Sequence, residues 1–298
     1  MVERPNEKIA KVLRTSVEVP SLPEVVDRVL NLSEQGVEAR LLAEVIGKDQ
    51  GLSAKVLRVV NSAFYSLSQP VSSLSHAISL LGEKTIKSMA LSISIMNLFR
   101  DDCPGFEARR FWRHSYSVAF AMKTLGEERF PGFEDTFYVA GLLHDVGVGL
   151  MVHCSPKDYA TVLQLVRRSG GRLEEFEEEV FGLSHGEVGS TLAERWRLPE
   201  ILVQCIRHHG DPAQVAGCGD ERVVQAVELL SFVEQWAMVR GYSFIDRDVG
   251  EPLVPQPPQW LGRDLEETDR ALGAVGAEIE QAEEQLLARV DAHLRESP

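Results

Sequence analysis

Four cysteines in 298 residues, none of them in a CxxC spacing, leave little material for a disulfide framework or a cysteine-ligated metal site. Cys103, Cys154, Cys205 and Cys218 are therefore expected as small apolar fillers, which suits a reducing, cytoplasmic setting. Positive charge is also in short supply. Lys and Arg number 31 against 45 Asp and Glu, a net charge of −14, which argues against nucleic acid or an anionic membrane as a partner. Long apolar runs are missing too. The most apolar stretch, Met89 to Phe99, has about half the length that spans a bilayer and is interrupted by Ser92, Ser94 and Asn97, so no membrane span is expected. The opening MVERPNEKIAKVLR has no apolar core behind its charges and does not read as a secretory signal.

What is present is helical periodicity. From Pro23 to Phe99 apolar residues recur at three and four positions (Val25, Val29, Leu32; Leu41, Leu42, Val45, Ile46), with breaks at Gly36, Gly47, Gly51, Pro70 and Gly82. A polar hinge at Arg100 to Gly105 separates this half from a second one. There, helical patterns lie near Phe111–Leu125, Asp135–His144, Lys157–Arg168, His185–Trp196, Glu200–His209 and Arg222–Val239. Short loops join them, so an all-α orthogonal bundle fits better than a sheet. Asp246 to Pro258 holds four prolines and reads as an extended strap. Behind it Leu265, Leu272, Ile279 and Leu286 form a partial heptad with Thr268 and Arg289 at the alternate positions. That pattern predicts an amphipathic helix lying on its own domain or pairing with a partner, including a second copy in a homodimer.

The chemistry concentrates in the histidines. Phe111, His114, Val118, Met122 and Leu125 share one helical face, so His114 points inward. In VAGLLHDVGVGL, His144 and Asp145 stand at the end of an apolar helix beside Gly147 and Gly149, which permit close backbone approach. A buried aspartate needs a cation, a hydrogen-bond network or a metal, and His144 offers a nitrogen for the same ion. His185 lies on a stripe with Val188, Leu192 and Trp196; His209 lies on one with Leu202, Cys205 and Ile206, and His208 flanks it. Taken singly, each is as well explained as a hydrogen-bonded core histidine. Glu228, beside Val223, Val227 and Leu230, stands either as an oxygen ligand or on the solvent edge. Imidazoles with carboxylates suit Fe, Mn, Zn, Ni or Co, and this many ligands suffices for one or two ions that could activate water against a phosphate ester.

In order along the chain, SLPEVVDRVLNL, LAEVIGKDQGLSAKVLRVVNSAFY, VSSLSHAISLLG, FWRHS, GLLHDVG, FGLSHGEVG and RHH resemble the HDOD family, the HD-related output domain of bacterial signalling proteins, within the HD superfamily of metal-dependent phosphohydrolases. The resemblance runs over about residues 18–240. It implies an HD-like helical bundle in two subdomains, 18–100 and 106–240, after an extension of 1–17 and before the strap and helix of 241–298. It also implies a metal set of His114, His144, Asp145, His185, His208, His209 and Glu228, with Asp145 the catalytic group if the site is active. Departures point away from hydrolysis. Where the related HD-GYP phosphodiesterases carry the lysine of HDxGK this chain has Val148, no GYP motif follows, and Arg110 stands where a third-metal carboxylate occurs in some relatives.

Two function classes follow: a signal-transduction module acting on a signalling protein or a small phosphorylated ligand, and an active phosphohydrolase for a nucleotide or phosphodiester. A third reading, DNA binding through LLAEVIGKDQGLSAKVLRVV, rests on Lys55 and Arg58 alone, and helix-hairpin packing accounts for the segment better.

Overall fold

The structure is a computed structural model that describes residues 28, 39–61, 69–96, 103–246, 254–273 and 276. The extension 1–17, the SLPEVVDRVLNL motif, Ser62, Phe64 and Tyr65, and heptad positions from Ile279 onward lie outside the described residues. Among the described residues every regular element is helical and there is no strand. The protein is all-α, and it divides into two compact units, one within 20–98 and the other within 99–273.

The first unit contains α1 (Ala39–Gly47), α2 (Gln50–Val60), α3 (Leu74–Leu81) and α4 (Glu83–Met96). Asp49 starts α2 by accepting the Leu52 amide on Oδ1 at 2.9 Å, a cap worth about 1 kcal/mol. From there Leu52, Val56 and Val60, four residues apart, join Leu42, Val45 and Ile46 of α1 in one core with Ile78, Ile86 and Ile93. The two helices thus pack as a hairpin. Asn61 ends α2 and ties the chain back, its side chain exchanging bonds of 2.6 and 2.7 Å with the Val71 amide and carbonyl.

The second unit is built around α5 (Ala108–Arg129), α6 (Glu134–Leu143) and α7 (Val146–Cys154). Then come α8 (Pro156–Ser169), α9 (Leu173–Phe181), α10 (His185–Arg195), α11 (Glu200–His208) and α12 (Glu221–Ala237). Two of these, α7 and α9, answer to no helical pattern in the sequence reading. Residues 134–154 have the length and apolarity of a membrane span. They are core: 83% of that window is buried inside the protein, and the chain breaks at His144 and Asp145 between α6 and α7.

Close helix approach at that break depends on missing side chains. A Cβ on Gly141 would stand 2.7 Å from the Ala119 backbone of α5, and one on Gly147 would stand 2.0 Å from the His185 carbonyl of α10. The break is thereby pressed between α5 and α10. Residues 254–273, set apart in the sequence as strap and terminal helix, belong to this unit as far as Gly273. Trp260 donates to Glu228 at 2.7 Å. In the helix over 265–273, here α13, Thr268 and Leu272 are buried and Asp269 accepts from Trp236 at 2.7 Å.

Candidate metal centre

Four elements bring polar groups to one buried point. The apolar face of α5 (Phe111, Val118, Met122, Leu125) carries His114 inward with it. His144 and Asp145 occupy the α6–α7 joint. His185 is the first residue of α10, whose start is fixed by a capping box: Ser184 accepts the Glu187 amide and Glu187 accepts the Ser184 amide. His209 follows the last turn of α11. His114, His144, Asp145, His185 and His209 are each no more than 3% exposed.

The geometry sorts them into two pairs around one carboxylate. His114 Nε2 and His144 Nε2 are 3.2 Å apart and stand 3.6 and 3.2 Å from Asp145 Oδ2. His185 Nε2 and His209 Nε2 are 3.0 Å apart and stand 3.3 and 3.6 Å from Asp145 Oδ1. One oxygen faces each pair. At the edge, half-buried Glu234 of α12 comes within 4.8 Å of the His144 and His209 nitrogens.

Proton accounting shows what such a cluster needs. His144 Nδ1 faces the Gly141 carbonyl at 2.6 Å, His209 Nδ1 the Ile206 carbonyl at 3.0 Å and His185 Nδ1 the Glu177 carboxylate at 2.7 Å. Those partners only accept, so each Nδ1 carries the hydrogen and each Nε2 turns a lone pair on Asp145. Lone pairs facing a carboxylate in a dry interior repel. The His185–His209 pair therefore requires one positive centre, either a shared proton or a metal ion, whereas a neutral His114 can meet His144 or Asp145 with a hydrogen on its own Nε2. Two nitrogens 3.0 to 3.2 Å apart match two ligands held about 2.1 Å from one ion at roughly a right angle. The donor set fits a divalent transition metal.

From the protein's own charges, burial alone would protonate Asp145, but His144, His209 and His185 outweigh it and hold the carboxyl well below its usual range. Burial lowers His185, yet Glu177, Asp145 and Glu174 raise it to about 10. Burial lowers His144 as well, and Asp145 reverses the sign and raises it. Burial and the His144 charge push His114 down to about 4. Each pair thus has one imidazole that favours a proton, His144 in the first and His185 in the second. At pH 8 His185, with its pKa of about 10, holds a proton that an ion must displace. Adding a divalent metal to chelated protein in weak buffer at pH 8 is expected to release on the order of one proton for the ion that His185 and His209 take, and lowering the pH is expected to expel the metal. Binding without proton release would contradict the pairing.

Two residues of the sequence-derived set do not reach the centre. His208 is half-buried and turned toward Gln214, because neighbours on a helix differ by about 100° and His209 already takes the inward direction. Glu228 is spent on Trp260. Arg110 does not face the cluster; it pairs with Asp246 at 2.8 Å and bonds the Ser243 carbonyl, while Phe244 of the same segment packs 5.5 Å from the His114 ring. The sequence reading missed Glu234 and Glu177. Both sit on apolar stripes: Val223, Val227, Leu230 and Glu234 in α12, and Leu173, Glu177 and Phe181 in α9.

Comparison with known proteins gives this geometry its setting. Residues 19–212 match the HDOD domain model. An HDOD domain protein of unknown function from Geobacter sulfurreducens is 26% identical, with 94% of this chain and 97% of that one covered at a TM-score of 0.77. A protein of Shewanella amazonensis that is named as a phosphohydrolase shares the fold at 21% identity, 93% and 94% coverage and a TM-score of 0.67. One of Marinobacter aquaeolei that is named for signal transduction shares it at 20% identity, 96% and 64% coverage and a TM-score of 0.71. An uncharacterised protein of Treponema pallidum is 23% identical over 198 residues, 64% of this chain but 37% of that one, so the match spans little more than a third of the relative's length.

Proposed function

Because the chain belongs to the HDOD domain family, we propose that it is a signal-transduction module whose HD-like core holds one or two divalent transition-metal ions and does not turn over a substrate. The observation that carries this reading is the closure of the site. All five central groups are almost fully buried, and Val148, at the position where hydrolysing relatives place a phosphate-facing lysine, is 0% exposed within α7. Asp145 is 3% exposed among the described residues, and the apolar Val148 brings no charge to a phosphodiester. The bound ions would then lock α5, the α6–α7 joint, α10 and α11 together. What the module reports to is a signalling protein or a small phosphorylated ligand.

The test is turnover. With Mn, Fe, Co, Ni or Zn loaded, bis(p-nitrophenyl) phosphate and cyclic dinucleotides are expected to be cleaved no faster than by the Asp145→Ala variant. Metal-dependent cleavage that this variant abolishes would establish an enzyme instead.

One observation favours that second reading. Asp145 offers one oxygen to each histidine pair, the arrangement that two ions use in hydrolases, where they would activate water for attack on a phosphate ester. Asp145, the four histidines and Glu234 would hold the ions.

A further inference from the structure

Among the glutamates of α9, Glu177 is fully buried, at 0% exposure. A carboxylate in such a place must be satisfied by donors, and it is. Its Oε1 accepts the Tyr159 hydroxyl of α8 at 2.7 Å. Its Oε2 accepts both the His185 backbone amide at 2.8 Å and the His185 Nδ1 hydrogen at 2.7 Å. The amide is one of the unpaired donors at the start of α10, where a negative charge is favoured. Tyr159 is itself 0% exposed, so the whole chain from Tyr159 to His185 is closed to water.

We infer that Glu177 is a positioning residue for the metal site, holding His185 by Nδ1 so that Nε2 meets Asp145 and strengthening that nitrogen as a ligand by its charge. The inference rests on the metal-holding reading above. His144 and His209 are oriented by backbone carbonyls, Gly141 and Ile206, which are neutral. His185 alone of these three is oriented by a carboxylate, which makes its imidazole the more electron-rich ligand. The anchor is rigid on both sides. Tyr159 fixes the carboxylate from α8, and the capping box fixes the backbone that carries His185.

A purely structural Glu177 would serve equally well as an amide. Glu177→Gln keeps the side-chain shape and an oxygen for both His185 donors, and the Tyr159 hydroxyl can rotate to accept from the new amide group. What it removes is the charge. Affinity for Co(II), read from its visible absorption and by chelator competition, is expected to fall about 10- to 100-fold in Glu177→Gln, with both chelated proteins folded by circular dichroism at the temperature of the measurement. Parent and variant binding Co(II) equally would overturn the positioning role and leave the metal site standing. A parent that binds no metal would remove both.

Should Glu177→Gln fail to fold, nitrogen NMR of the metal-loaded parent decides. His185 is expected to carry its hydrogen on Nδ1. A hydrogen on Nε2 would overturn the inference.

Discussion

Asp145→Asn is expected to lose its metal altogether. The carboxylate is the one group that faces both histidine pairs, with Oδ2 toward His114 and His144 and Oδ1 toward His185 and His209. An amide keeps the volume but brings no charge, and one of its two ends presents hydrogens instead of lone pairs. The loss in affinity should exceed the roughly 10- to 100-fold that removal of an outer partner costs. Thermal unfolding gives a second readout. At metal concentrations about 1,000 times the dissociation constant, binding stabilises the folded state by about 4 kcal/mol. In a unit of this size that raises the midpoint by roughly 8 to 16 °C. The parent should show that gain on adding metal after chelation, and Asp145→Asn should show none. The chelated variant should still fold, because His144 can shed its proton when its counter-ion goes. An equal metal-induced gain in both proteins would refute the bridging role.

Gly147→Ala is expected to be the most damaging single-methyl change in the second unit. Its Cβ would stand 2.0 Å from the His185 carbonyl and 2.8 Å from the Gly189 amide nitrogen, and both are backbone atoms that cannot swing aside. Relief requires α7 and α10 to separate. Overpacking of this kind costs about 3 kcal/mol or more, near the upper end for added methylenes. The midpoint of unfolding should fall by on the order of 10 °C. The same separation pulls His185 from Asp145, so metal affinity should fall with stability. A Cβ on Gly217 in the same unit would meet nothing within 4 Å, which makes Gly217→Ala the control. Similar midpoints for the two variants would show that the approach of α7 to α10 does not set the site.

Gly141 and Gly147 show how much was legible in the sequence. GLLHDVG was readable as a place where backbones come close, and the inward faces of His114, His185 and His209 followed from apolar residues at three and four positions. The three-dimensional partners of those glycines, Ala119 and His185, were not readable, since they come from helices brought near only by folding. Helix α7 escaped because it is apolar nearly all round and carries two glycines, so no polar face marks its period. Helix α9 escaped because LEEFEEEVF reads as a solvated acidic run. Yet Leu173, Glu177 and Phe181 are four residues apart, and the glutamate on that stripe is the buried one.

Glu228 and Glu234 teach the complementary lesson. The stripe of Val223, Val227 and Leu230 continues to Glu234, seven residues after Val227. Glu228 lies one position off it and turns to Trp260 in the strap. The sequence leaves Glu228 open between an oxygen ligand and the solvent edge, because the strap whose Trp260 occupies it comes from a proline-rich segment with no periodicity of its own. His208 fell to the same geometry, since a dipeptide of histidines offers two ligands on paper and one direction inward.

The most direct measurement is metal content joined to position: elemental analysis of protein purified without chelators, followed by anomalous diffraction at the absorption edge of whichever metal is found. Stoichiometric metal is expected, with anomalous peaks beside Asp145, the first between Oδ1 and the His185–His209 pair and a second, where two ions bind, between Oδ2 and the His114–His144 pair. Protein that carries no stoichiometric transition metal, and takes up none when it is supplied at pH 8, would show that protons fill both positions and that the cluster is a buried hydrogen-bond network.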